Sequence, residues 1–158
     1  YCTRVGEGPF PTEDQGEVGN FLREKGGEFG ATTGRPRRCG WQDMVALRYA
    51  VRVNGMDAIA LTKLDVLTGL DEIRVAVGYD IEGVTTDQFP GASYRLELAK
   101  PVYRSFPGWT ADISACRRFE ELPQEAREYV AYLEEATGIP VVLIGVGPAR
   151  EATILRGL

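Results

Sequence analysis

"LPQEAREYVAYLEEATGIPVVLIG" (residues 122 to 145) decides the fold class. Ala126, Tyr129, Val130 and Leu133 recur at three- and four-residue intervals, Pro123 stands near the start and Gly138 at the stop, so a helix with one apolar face is predicted. "IPVVLIG" follows without a polar break and reads as a strand buried on both faces. "GVGPAR" (145 to 150) then makes a tight turn and "ATILR" a last strand. A helix leading into a fully buried strand is the unit of α/β proteins.

The same reading extends toward the N-terminus. "AIALTKLD" (58 to 65) is a short apolar run that turns polar at its end, a buried strand delivering residues to a sheet edge. "DEIRVAVGYD" (71 to 80) alternates Ile73, Val75, Val77 and Tyr79 against Arg74 and Ala76, predicting a strand with one buried face. "SYRLELAKPVYRSF" (93 to 106) alternates through Tyr94, Leu96 and Leu98 and predicts another strand, broken by Pro101. "EVGNFLREKGGEFG" (17 to 30) spaces Val18, Phe21 and Leu22 as a short helix ending at Gly26-Gly27. "QDMVALRYAVRVNG" (42 to 55) places Met44, Leu47 and Val51 on one face of a second helix, whose first N–H groups are expected to point back at the basic loop before it. The expected fold is α/β, a mixed sheet with flanking helices in one domain over residues 1–158.

Composition narrows the function. With 44% hydrophobic and 26% charged residues the chain is that of a soluble globular protein, and a net charge of -5 argues against tracking a nucleic-acid backbone. No apolar run approaches the ~20 residues needed to span a bilayer, so no membrane role is expected. Cys2, Cys39 and Cys116 are three, without CxxC spacing, which fits neither a disulfide framework nor a zinc site and suggests a cytoplasmic protein. There is no histidine, which removes the commonest general base and metal ligand. No metal ligands and no catalytic residue are assigned in the chain, and its opening on Tyr1 rather than Met suggests a piece of a longer protein.

"GATTGRPRRCGW" (30 to 41) packs two threonines and three arginines onto a segment that Gly34 loosens and Pro36 stiffens. It is either an anion clamp or an ordinary basic turn. "TKLD" (62 to 65) ends a predicted buried strand. One carboxylate can accept both N–H groups of a guanine edge while a lysine stem lies along the ring, but Lys63 and Asp65 equally suit a solvated pair. In "GVGPAR" the glycines either let backbone N–H groups approach a planar ligand or simply end a strand. Glu120-Glu121 and Glu134-Glu135 are assigned to solvated helix faces, and Trp41 and Trp109 to core or rim. No GxxxxGK[ST] or GxGxxG occurs, so a nucleotide's phosphates have no glycine-rich cradle here.

"TRVGEGPFPTE", "EFGATTGRPRRCGW", "LTKLDVLTGLDEI", "TGIPV" and "GVGPAR" together resemble the C-terminal part of adenylosuccinate synthetase, over essentially the whole chain. The resemblance implies the C-terminal portion of a P-loop-NTPase-like, GTP-dependent ligase fold. In that family GTP phosphorylates IMP with magnesium, and L-aspartate displaces the phosphate. It implies that the loop Ala31, Thr32, Thr33, Gly34, Arg35, Pro36 and Arg37 grips aspartate, with Arg35 also near IMP and Arg37 reaching toward GTP. Lys63, Leu64 and Asp65 would contact guanine, and Gly145, Val146 and Gly147 would close over it. The family often carries arginine where Pro36 stands, and Thr62 stands where GTP-binding proteins usually carry asparagine. The resemblance further implies a homodimer when full length, and that the phosphate loop, the catalytic residues and the Mg2+ site belong to a missing N-terminal part, so that the isolated chain is inactive. A stand-alone guanine-nucleotide module without catalysis is the alternative.

Overall fold

The computed structural model describes residues 1–157. In chain order its elements are β1 (Cys2–Arg4), α1 (Glu17–Gly26), β2 (Arg38–Gly40), β3 (Gln42–Asp43), α2 (Met44–Asn54), β4 (Ile59–Leu61), β5 (Glu72–Ile81), β6 (Val84–Thr86), α3 (Ser93–Glu97), β7 (Lys100–Pro107), α4 (Gln124–Thr137), β8 (Val141–Gly145) and β9 (Thr153–Leu155). The α/β class expected from the sequence is the class observed. By its internal contacts the chain divides into two compact units, one of residues 1–49 and 74–105, the other of residues 50–73 and 106 onward.

In the first unit β1 pairs antiparallel with β2, while β3 runs parallel to β5, which also pairs with β6 and β7. Helix α1 ends as its glycines predict. Gly27 takes a left-handed φ of 60°, and the amides of Gly27 and Glu28 return to the carbonyls of Glu24 and Arg23 at 3.2 and 2.9 Å. Val45, Tyr79, Ile81 and Ala99 form a buried cluster on which Phe89 and Leu96 pack. Strand β5 departs from simple alternation: Ile73, Val75 and Tyr79 are buried as expected, but Ala76 is buried too and Val77 is half-buried. Ala76 lies beside Asp43 of β3, itself buried, so this part of the strand is covered on both faces.

The stretch 93–106 corrects the sequence reading. Ser93–Glu97 is a helical turn, with the amides of Arg95 and Leu96 on the Ala92 carbonyl at 3.1 and 3.3 Å, and only from Lys100 does the chain become a strand. Tyr94 and Leu98 are exposed while Leu96 packs on the core cluster, so the alternation does not mark a buried face. Pro101 does not break β7. It lies near the start of a strand that pairs with β5, where a missing N–H is tolerated.

In the second unit β4 is parallel to β8, which pairs antiparallel with β9, and α4 packs on β8. Helix α4 runs from after Pro123 to Gly138, whose φ is 73°. Tyr129, Phe106 and Trp109 form an aromatic core with ring centroids 6.1 and 6.5 Å from that of Tyr129. The glutamates set aside as solvated carry structure. Glu134 Oε1 accepts the Val141 amide and the Arg156 Nη1, both at 2.8 Å, and Arg156 lies over the Phe119 ring at 3.9 Å. Glu121 accepts the amides of Arg117 and Arg118 at 2.8 and 3.2 Å.

Candidate functional site

Two regions carry the predicted residues, one in each unit. In the first, the arginine-rich loop is the tip of a hairpin. Arg37 N–H donates to the Glu28 carbonyl at 2.9 Å, Phe29 and Pro36 form an antiparallel bridge, and Gly30 N–H donates to the Arg35 carbonyl at 2.8 Å. Gly34 has a φ of 65° and returns its amide to Gly30 at 2.8 Å, so the glycine supplies a backbone conformation that a side chain would resist. Thr33 Oγ1 accepts the Arg35 amide at 3.3 Å. Ala31 to Pro36 are exposed, and a cleft of about 510 Å3 is lined by Gly30, Thr33 and Arg35 to Arg38 on one side and by Arg4 to Glu7 on the other. Ala31, Thr32 and Gly34 lie outside that lining.

The arginines differ. Arg38 is structural: its guanidinium meets Glu13 at 2.6 and 3.0 Å and the Gly8 carbonyl at 2.7 Å. Arg38 holds the Glu13 carboxyl below the usual carboxylate range, against a smaller opposing effect of burial. Arg37 is half tied down, its Nη1 3.0 Å from Glu28. Arg35 is exposed at the cleft. Sequence reasoning did not single out Glu28, which is 1% exposed, nor Arg4 to Glu7.

The expectation for helix α2 needs correction. Strands β2 and β3 lie between the basic loop and the helix, and the helix start is already occupied by the protein's own Asp43, whose Oδ1 accepts the Ala46 amide at 3.0 Å. Burial pushes the Asp43 carboxyl up, against hydrogen bonds from Tyr79 at 2.5 Å and from the helix amides. Burial and the neighbouring Asp43 push the Tyr79 hydroxyl up as well. No ligand anion is needed at that terminus.

In the second unit the two predicted guanine elements come together. Parallel pairing sets Leu61 beside Ile144, so "TKLD" and "GVG" leave the carboxyl ends of neighbouring strands, the position at which open parallel sheets bind ligands. A Cβ on Gly145 would stand 3.4 Å from both the Lys63 amide nitrogen and the Thr62 Cα, in van der Waals contact, so the two segments lie side by side at this point. Lys63 adopts a left-handed backbone, φ 59° and ψ 37°, which turns the chain into a 3-10 turn at Leu64–Leu67. Asp65 is half-buried, with Oδ1 shielded from solvent. Leu64 and Val146 are 1% and 0% exposed, so their side chains belong to the core and are not available to a ligand.

The turn is pinned from behind. Trp109 Nε1 donates to Thr68 Oγ1 at 3.0 Å, its carbonyl accepts the Gly69 amide at 2.7 Å, and Gly108 N–H donates to the Asp71 carbonyl at 2.9 Å. Both tryptophans are buried, as expected. Cys2, Cys39 and Cys116 form no disulfide, and among the described residues no group of three or more Cys, His, Asp or Glu side chains gathers as a metal site. Nor, among them, is any helix long and apolar enough to cross a membrane.

Comparison with known proteins gives one consistent result. The family model described as adenylosuccinate synthetase matches residues 1–154. Adenylosuccinate synthetases of Salinibacter ruber and Pelotomaculum thermopropionicum are 55% and 56% identical over 98% of the chain, which covers 35% and 36% of their own lengths. A fully ligated adenylosuccinate synthetase from Plasmodium falciparum superposes with a TM-score of 0.95 at 46% identity, over 99% of this chain and 38% of that one. The chain thus spans about a third of the length of the relatives it matches.

Proposed function

The chain belongs to the adenylosuccinate synthetase family, and on that premise we propose that it is part of a GTP-dependent ligase that joins IMP to L-aspartate, releasing adenylosuccinate, GDP and phosphate in purine biosynthesis. The observation that carries the reading is the convergence of Lys63, Asp65 and Gly145 at the ends of two parallel strands, because a guanine edge needs one carboxylate and a close-approaching backbone. In this reading Asp65 accepts the N1 and N2 hydrogens, the Lys63 stem covers the ring, and backbone from Gly145 to Gly147 lines its other edge. The hairpin serves anions. Arg35 and Thr33 hold the aspartate carboxylates, Arg35 also approaches IMP, and Arg37 serves GTP, each guanidinium offering planar, charge-assisted hydrogen bonds.

Within that enzyme these residues form the C-terminal portion, and the remainder supplies the phosphate loop and the catalytic groups. The support is the absence of a glycine-rich phosphate loop and of histidine from residues 1–158. Mg2+ is assigned to that remainder together with the phosphate loop, since such an ion is held by one or two protein oxygens beside a nucleotide's phosphates. The isolated chain is then inactive, and the whole enzyme is a cytoplasmic homodimer. The test is to express the complete reading frame and measure adenylosuccinate from IMP, GTP and aspartate. No product refutes the function, and a GDEGKGK-like phosphate loop encoded after Leu158 rather than before Tyr1 reverses the placement. Turnover by residues 1–158 alone refutes the division of labour, and sedimentation of the full-length protein as a monomer refutes the dimer.

A further inference from the structure

Glu28 is a carboxylate with 2% of its side chain exposed, and a charge so placed is costly unless neighbouring groups neutralise it. Two groups do so. Arg37 Nη1 donates to Oε2 at 3.0 Å and the Tyr1 hydroxyl to Oε1 at 2.7 Å. Glu28 and Arg37 also face each other at the base of the hairpin, joined by the backbone bond from Arg37 N–H to the Glu28 carbonyl, while the Arg37 carbonyl accepts the Arg23 Nε at 2.9 Å. Arg37 is thereby held through its amide, its carbonyl and one end of its guanidinium. Its Nε is enclosed by protein without a hydrogen-bond partner, so the N–H groups of the Nη atoms not spent on Glu28 are the ones left to meet an anion in the cleft that Arg37 lines.

We infer that Glu28 is a positioning residue: it acts through Arg37, fixing which edge of that guanidinium faces the cleft and with it the affinity for an anionic ligand there. The inference rests on the reading of Arg37 as a GTP contact. An apolar residue in place of Glu28 would fill the space, but it would release Nη1 and let the arginine swing among its rotamers, each lost constraint weakening the bound state. The carboxylate therefore gives orientation that packing alone does not.

The experiment uses the full-length enzyme and the variants Glu28→Gln, Arg37→Met and their combination, each checked for folding by thermal unfolding. Glu28→Gln keeps the volume and loses the charge, so KM for GTP should rise about tenfold, the worth of one charge-assisted hydrogen bond. Discrimination between GTP and XTP, which depends on Asp65, should not move. In the Arg37→Met background, Glu28→Gln should add less than about twofold, because the group it acts through is gone. A full, additive effect in that background overturns the inference, as does an unchanged KM for GTP in Glu28→Gln alone. Should Glu28→Gln fail to fold, Glu28→Asp withdraws the carboxylate by one methylene and should raise the same KM several-fold; no change overturns the proposal equally. A wild-type protein that makes no adenylosuccinate refutes the function itself, whereas an active wild type with an indifferent Glu28 refutes only the positioning role.

Discussion

Exchanging Asp65 for asparagine tests the proposed guanine pocket through a change of specificity rather than a loss. Asp65 belongs to a turn whose backbone is fixed at both ends: Lys63 enters it in a left-handed conformation, and the Asp65 carbonyl accepts the Thr68 amide at 3.1 Å. Its Oδ1 is shielded from solvent; once a bound base closes the site, a hydrogen-bond mismatch with it is not relieved by water. In Asp65→Asn the amide oxygen still accepts from guanine N1, but the new NH2 group meets the exocyclic amine, donor against donor. Losing a hydrogen bond to a charged group costs about 1.5–3 kcal/mol, which is roughly ten- to a hundredfold in kcat/KM for GTP. Xanthine carries a carbonyl where guanine has the amine, so the same NH2 donates to XTP. The ratio of kcat/KM for XTP to that for GTP should rise by at least about tenfold, or ~1.4 kcal/mol. The assay measures both nucleotides in one mutant preparation of the full-length enzyme, with IMP and aspartate saturating, so a folding defect cancels. A ratio unchanged from wild type would falsify the assignment and leave Asp65 a structural carboxylate of the turn.

Three further outcomes follow from the geometry. Arg35→Leu should raise KM for aspartate by about ten- to a hundredfold, since an exposed guanidinium at the cleft is the charge-assisted partner removed; steady-state kinetics with unchanged aspartate constants refutes it. Gly108→Ala should destabilise the protein by about 1–3 kcal/mol, because its Cβ would collide with the Leu70 carbonyl and push the 68–71 segment off Trp109; a thermal midpoint equal to wild type is the contrary result. Glu13 contributes to acid stability with a defined sign. Its carboxyl lies below its ordinary value of 4.5 beside Arg38, so the stabilisation is present above that pH and is lost as pH falls through the lowered value. Glu13→Gln should therefore flatten the decline of the urea midpoint between about pH 5 and pH 3, and parallel curves for the two proteins rule this out.

How far the site can be read from the sequence depends on whether its parts are tied by local or by distant constraints. Helix α4 and strand β8 are legible because period, proline and glycine act within the segment itself, and Gly138 closes the helix wherever the chain goes next. The Asp43 cap was legible in the same way, as an aspartate immediately before an apolar helical pattern, although the basic loop drew the reading toward an external anion. The segment 93–97 misled because its alternation has no buried face behind it, so a period of two carried no information about a sheet. Glu28 and Arg37 lie nine positions apart, and their pairing exists only after the hairpin sets its register. "TKLD" and "GVG" are separated by about eighty residues, and each alone is compatible with an ordinary strand end. Parallel pairing of β4 with β8 brings them side by side, with Gly145 against Thr62 and Lys63. The chemistry of a ligand site is thus written in residue types, while its existence depends on strand register. That is why exchanging Asp65, which alters the chemistry and leaves the register alone, is the sharper probe of this pocket than any substitution in the sheet that builds it.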